Sequence, residues 1–123
     1  MMDEMREFSF EKLIVYQKAK EYVKVVYSLL HKFPSEERFA MCDQLRRASV
    51  SVISNIAEGT SRQTSKDKCH FLDIAYGSLM ETYSQLDLAR DLEYITDHDI
   101  NDIKLRGIEL LRLLASLKRS YKC

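Results

Sequence analysis

A chain of 123 residues, 46% hydrophobic and 31% charged, is one domain long enough to bury a core of its own. Nineteen Lys and Arg balance nineteen Asp and Glu, which excludes the cationic excess of a strong, sequence-blind phosphate-backbone binder. One proline and three glycines are too few for a turn-rich all-β fold, and no apolar run approaches the ~20 residues of a membrane span.

Residues 1–9 read as a loose tail and residues 10–123 as a single helical domain. The opening Met1–Glu7 is acidic and lacks an apolar signal core, so secretion is not expected and a cytoplasmic location is. Cys42, Cys69 and Cys123 are odd in number and without Cys-x-x-Cys spacing. That predicts reduced thiols, neither a disulfide framework nor a zinc site, and leaves their individual roles unassigned.

The first helix is predicted to start near Phe10. Val15, Ala19, Tyr22, Val26, Leu29 and Phe33 form a heptad seam along it, and Pro34 stops it. Ser35 is the expected cap of a second helix over 36–58, with Glu36 and Glu37 in its first turn. On that helix Met41, Leu45, Ala48, Val52 and Ile56 share one side. Gln44, Arg47, Ser51, Asn55 and Glu58 make a narrow polar stripe, and Ser49, Val50, Ile53 and Ala57 make a third, small or apolar side. Gly59 sits where a left-handed C-terminal residue is expected.

Thr64 or Ser65 should cap the third helix. Phe71, Leu72, Ala75, Leu79, Thr82, Leu86 and Ala89 share its core face, and Gly77 in its middle predicts a close helix approach or a bend. After Tyr94-Ile95, Thr96 or Asp97 should cap a last helix. Its Ile100, Ile103, Gly107, Leu110, Leu114, Leu117 and Tyr121 form the cleanest heptad in the chain. Four amphipathic helices with short links predict an all-α, antiparallel up-and-down four-helix bundle.

The candidate chemistry is sparse. The polar stripe, with Glu81 joining from the third helix, reads first as a network that fixes register and oligomer geometry. It reads second as a binding surface or channel lining. Arg46, Arg47, Arg62, Lys66 and Lys68, against Glu58 and Asp67, make a basic stretch able to meet phosphates, or a solvated tip. The last helix begins acidic and ends basic, as its dipole favours. Asp67-x-x-His70 falls short of a di-metal set, and no catalytic order or phosphate loop occurs, so no catalytic, metal or cofactor residue is assigned and an enzyme is not expected.

Gln44, Leu45, Arg47, Ala48, Ser51, Asn55, Ile56, Ala57, Glu58 and Gly59 match the hallmark Gln-Leu-x-Arg-Ala-x-x-Ser-x-x-x-Asn-Ile-Ala-Glu-Gly. The chain thereby resembles the four-helix-bundle proteins encoded in intervening sequences of bacterial 23S ribosomal RNA genes, relatives of the accessory protein of diversity-generating retroelements. Phe10, Leu13, Val15, Tyr16, Gln17 and Ala19 resemble the family's first-helix signature. Phe71-Leu72, Ile74-Ala75, Gly77-Ser78-Leu79, Glu81 and Leu86 resemble its third-helix signature. Ile53 stands where many members carry proline, so no proline kink is forced. The resemblance implies a homo-oligomer, a five-fold ring in known relatives. With the charge pattern it predicts a non-enzymatic adaptor for RNA, DNA or a reverse transcriptase. The alternative is a self-assembling scaffold with no nucleic-acid role. In either case Val50, Ile53 and Ala57 are expected to face a neighbouring subunit. Neither a membrane nor a small-molecule substrate is expected.

Overall fold

The computed structural model describes residues 8–123. Of the predicted tail, only Phe8 and Ser9 fall among them, and the rest lies outside the described residues. A 3₁₀ turn, Ser9–Lys12, leads into four helices: α1 (Ile14–Leu30), α2 (Met41–Ser61), α3 (Ser65–Asp91) and α4 (Asp97–Ser120). There is no strand among the described residues.

Cross-helix pairs set the topology. Gln44 meets Gln85 and Ser51 meets Ser78, so residue numbers rise along α2 as they fall along α3. Lys32 meets Asp99 and Lys18 meets Glu109 between α1 and α4, and Lys118 meets Asp73 between α4 and α3. Each pair is antiparallel. α1 closes the ring by packing on α2.

The predicted seams are the core. Val15, Ala19, Tyr22, Val26 and Leu29 of α1 are buried with Leu45, Val52 and Ile56 of α2. Leu72, Ala75, Leu79 and Leu86 of α3 and Ile100, Ile103, Leu110 and Leu114 of α4 complete it. At about 1.5–3 kcal/mol per buried large aliphatic side chain, this apolar burial is the main force holding the bundle. Caps set the later helix starts: Thr64 Oγ1 accepts the Asp67 N–H, and Thr96 with Asp99 forms a reciprocal capping box.

The structure corrects four expectations. α2 begins at Met41, because Ser35–Glu37 closes into a separate 3₁₀ turn; Glu37 then reaches forward to accept the Met41 N–H (3.4 Å). Gly59 is not a left-handed cap but a helical residue inside α2. A Cβ there would lie 3.1 Å from Phe71 Cβ and 3.2 Å from the Lys68 carbonyl oxygen, so its role is close approach to α3. Gly77 has open space around it, and nothing in the structure explains a glycine there. Finally, Cys69 and Cys123 are bonded, with Cα atoms 5.7 Å apart, while Cys42 is a free, buried thiol. Antiparallel α3 and α4 bring the start of one beside the end of the other, a neighbourhood that cysteine spacing alone does not reveal.

Candidate functional site

The polar stripe of α2 meets a matching stripe on α3. Ser51 Oγ and Ser78 Oγ are 2.8 Å apart, and Asn55 Nδ2 donates to the Ser51 hydroxyl (3.0 Å) and carbonyl (2.8 Å). Two turns further along α3, Gln85 Nε2 donates to Gln44 Oε1 and to Glu81 Oε2, both at 3.3 Å. Beside this seam runs a groove of about 480 Å³ lined by Gln44, Arg47, Ala48, Ser51, Ser78 and Glu81.

Glu81 thus joins the stripe through Gln85. Arg47 and Glu58 do not join it: Glu58 pairs with Arg62 (3.0 Å), and Arg47 has no carboxylate partner among the described residues. Ser78 and Gln85 are members that sequence reasoning missed. Their signal was present, since Ser78, Glu81 and Gln85 step by three and four along α3.

The third side of α2 is only partly open. Ser49 is fully buried, Ile53 packs against the core, and Ala57 is half-buried; Val50, 40% exposed, is the one that faces outward. The Ser9–Lys12 turn packs on α2 as well as α1.

The five candidate cations separate into two groups. Arg46 and Arg47 stand near the start of α2, and Arg46 is tied to Asp43 (2.9 Å). Arg62, Lys66 and Lys68 stand at the other end of α2, where Arg62 follows Arg47 by 15 residues, about 22 Å along the helix axis. The structure adds new neighbours to the second group. The end of α4 arrives at the same end of the bundle with Lys118, Arg119 and Lys122, joined by the Cys69–Cys123 bond.

These six cations gather there, with Lys12 and Glu11 of the Ser9–Lys12 turn at the same end, against Glu58, Asp67 and Asp73. Some are held in place. The Arg62 guanidinium lies 4.7 Å over the Phe71 ring, Lys68 Nζ lies 4.7 Å over the Tyr121 ring and donates to the Thr60 carbonyl (3.2 Å), and Lys118 is paired with Asp73. Lys66, Arg119 and Lys122 have no carboxylate partner among the described residues.

The opposite end is acidic. Glu36, Glu37, Asp43, Asp87, Asp91, Glu93, Asp97 and Asp99 there outnumber Lys32, Arg38, Arg46, Arg47 and Arg90. Arg90 bridges Asp87, Asp91 and Asp97, and Tyr94 donates to Glu37 (2.8 Å), which raises the tyrosine's pKa. A chain of zero net charge is thus divided along its long axis; the helix dipole favours the acids at the α4 start and the cations at the α4 end, and opposes Asp87 and Asp91 at the α3 end and Lys66 and Lys68 at the α3 start. Among the described residues, no group of three or more His, Cys, Asp or Glu is disposed to hold a metal, and no helix is long and apolar enough to cross a membrane.

A four-helix bundle with a hydrogen-bonded α2–α3 seam is the class that the fold and site define among the described residues. The particular family follows from the sequence of that seam. The chain belongs to the 23S rRNA-intervening sequence protein family, whose sequence model matches residues 11–116. It is also similar to a solved Bacteroides thetaiotaomicron protein of unknown function from the S23 ribosomal protein family. That protein is 29% identical over 85% of this chain and 98% of its own, with a TM-score of 0.78. No curated protein matches the chain.

Proposed function

We propose that this chain is a non-enzymatic, homo-oligomeric cytoplasmic adaptor that contacts RNA through the basic end of its bundle. The observation that carries the reading is the gathering of Arg62, Lys66, Lys68, Lys118, Arg119 and Lys122 at that end. Phosphate contact needs cations close together and unpaired, and Lys66, Arg119 and Lys122 meet that need without breaking an ion pair. Net neutrality does not oppose it, because the compensating carboxylates lie at the far end, beyond a Debye length of ~8 Å at physiological ionic strength. The family's name, 23S rRNA-intervening sequence protein, supports RNA as the nucleic acid. Resemblance to ring-forming relatives supports a pentamer.

Fluorescence anisotropy with a labelled 20-nucleotide RNA at 50 mM salt tests this. Binding should be present in the wild type and lost in Lys66→Glu/Arg119→Glu/Lys122→Glu. It should survive Arg47→Glu, which lies at the far end of α2. Absence of binding, or equal loss in both variants, would refute the basic end as the contact.

The second reading, a self-assembling scaffold without a nucleic-acid role, is favoured by exposed apolar side chains on the outer faces of α3 and α4: Tyr76, Met80, Leu105 and Ile108. Mass measurement in solution separates the claims. An oligomer that binds no RNA supports the scaffold, and a monomer removes assembly from both.

A further inference from the structure

Between α1, α3 and α4 lies a pocket of about 210 Å³ whose walls are Leu79, Met80, Ile108 and Leu111. Its floor is Tyr22, the largest fully buried side chain of the core at 1% exposure, and the Tyr22 hydroxyl has no hydrogen-bond partner. A buried hydroxyl without a partner is uncommon, since it forfeits its hydration and gains nothing in return. Burial holds its pKa well above the tyrosine norm, so it is an O–H donor at any physiological pH. Gly107 keeps the space beside this hydroxyl open: a Cβ there would lie 3.6 Å from the Tyr22 ring and 4.0 Å from its oxygen. At the rim Lys104 is exposed, with its Nζ 6.0 Å over the Tyr83 ring and no carboxylate partner among the described residues.

We propose that this pocket is a binding site for a small aromatic acid carrying a neutral oxygen at the end opposite its carboxylate. Volume sets the size, since a cavity of about 150 Å³ holds benzene and this one leaves room for a ring with two small substituents. Charge sets the orientation. A carboxylate driven to the apolar floor would be desolvated without a counter-charge, whereas at the rim it meets Lys104 and stays partly hydrated. The floor then takes the neutral oxygen, which accepts the Tyr22 O–H.

The probe is 4-hydroxybenzoate, titrated into the full chain while the Gly107 amide and the Met80 methyl are followed by NMR. Both signals should shift and saturate. Benzoate, which lacks the far oxygen, and phenol, which lacks the carboxylate, should each bind roughly tenfold more weakly, the loss of one charge-assisted or buried hydrogen bond. Gly107→Ala fills the space beside the hydroxyl at ordinary contact distance and should abolish the shift in a folded protein. Tyr22→Phe removes only the partnerless hydroxyl and should bring 4-hydroxybenzoate down to the affinity of benzoate. Lack of saturation at 10 mM, or equal affinity in Gly107→Ala, would overturn the site. So would Gly107 and Met80 signals that move with protein concentration and not with ligand, because a second copy would then occupy the pocket.

Discussion

Breaking the Cys69–Cys123 bond tests how far the basic end depends on its covalent tie. The bond joins residues 54 apart, and the chain-entropy relation for a closed loop of that length gives about 4 kcal/mol. Local contacts reduce the net loss, because Lys118 remains paired with Asp73 and Lys68 remains over Tyr121 after the bond opens. A loss of about 2–4 kcal/mol is therefore expected, the range usual for native disulfides. At roughly 4 °C per kcal/mol for a domain of this size, the midpoint of thermal unfolding should fall by about 8–16 °C. The assay is unfolding followed by circular dichroism, for the oxidised chain with and without reductant and for Cys123→Ser. Thiol titration of the unfolded oxidised chain should find one free cysteine, Cys42. Cys123 is exposed and Cys69 half-buried, so reductant should act without prior global unfolding. Identical midpoints in all three samples, or three free thiols in the oxidised chain, would refute the reasoning.

Other outcomes follow from single residues. Glu93 ends α3 with φ 67°, a left-handed conformation that costs a non-glycine residue roughly 1–2 kcal/mol; Glu93→Gly should raise stability by about 0.5–1 kcal/mol in urea unfolding. Gly59→Ala gains helix propensity, but its Cβ meets the Lys68 backbone oxygen at 3.2 Å, so a net loss of about 1 kcal/mol is expected in the same assay. Burial favours the neutral form of Asp99, yet the Lys32 ion pair and the Thr96 N–H outweigh it and hold its carboxyl below the usual range. Its contribution is present above the unfolded value of about 3.9 and is lost as pH falls through the lower folded value, so Asp99→Asn should flatten the acid limb of the stability–pH curve below about pH 4.

The core was legible in the sequence because each helix buries a single periodic stripe, and seams such as Val15 to Phe33 and Ile100 to Leu114 needed no partner to be recognised. Local signals failed where two structures share one signature. Ser35-Glu36-Glu37 looks like a helix start, and the chain uses it for a 3₁₀ turn that places Glu37 against the true start at Met41. Gly59 satisfies a C-cap pattern, yet its requirement is set by Phe71 and Lys68 across the helix pair. The candidate site was legible only in halves. Gln44, Ser51 and Asn55 stood out as a stripe, but Ser78 and Gln85 gained meaning from the α2–α3 register. The basic end likewise needed topology, because Arg62 and Lys66 meet Arg119 and Lys122 only once α3 and α4 run antiparallel. The cysteine pair was hidden for the same reason.

The salt dependence of RNA binding tests the central claim most directly. Each phosphate neutralised on a single strand contributes about −0.7 to the slope of log K against log salt. If Lys66, Arg119 and Lys122 each meet a phosphate, the wild-type slope should be steeper by about 2 than that of a variant with all three changed to glutamine. Equal slopes in the two proteins would contradict the account, even if both bound RNA.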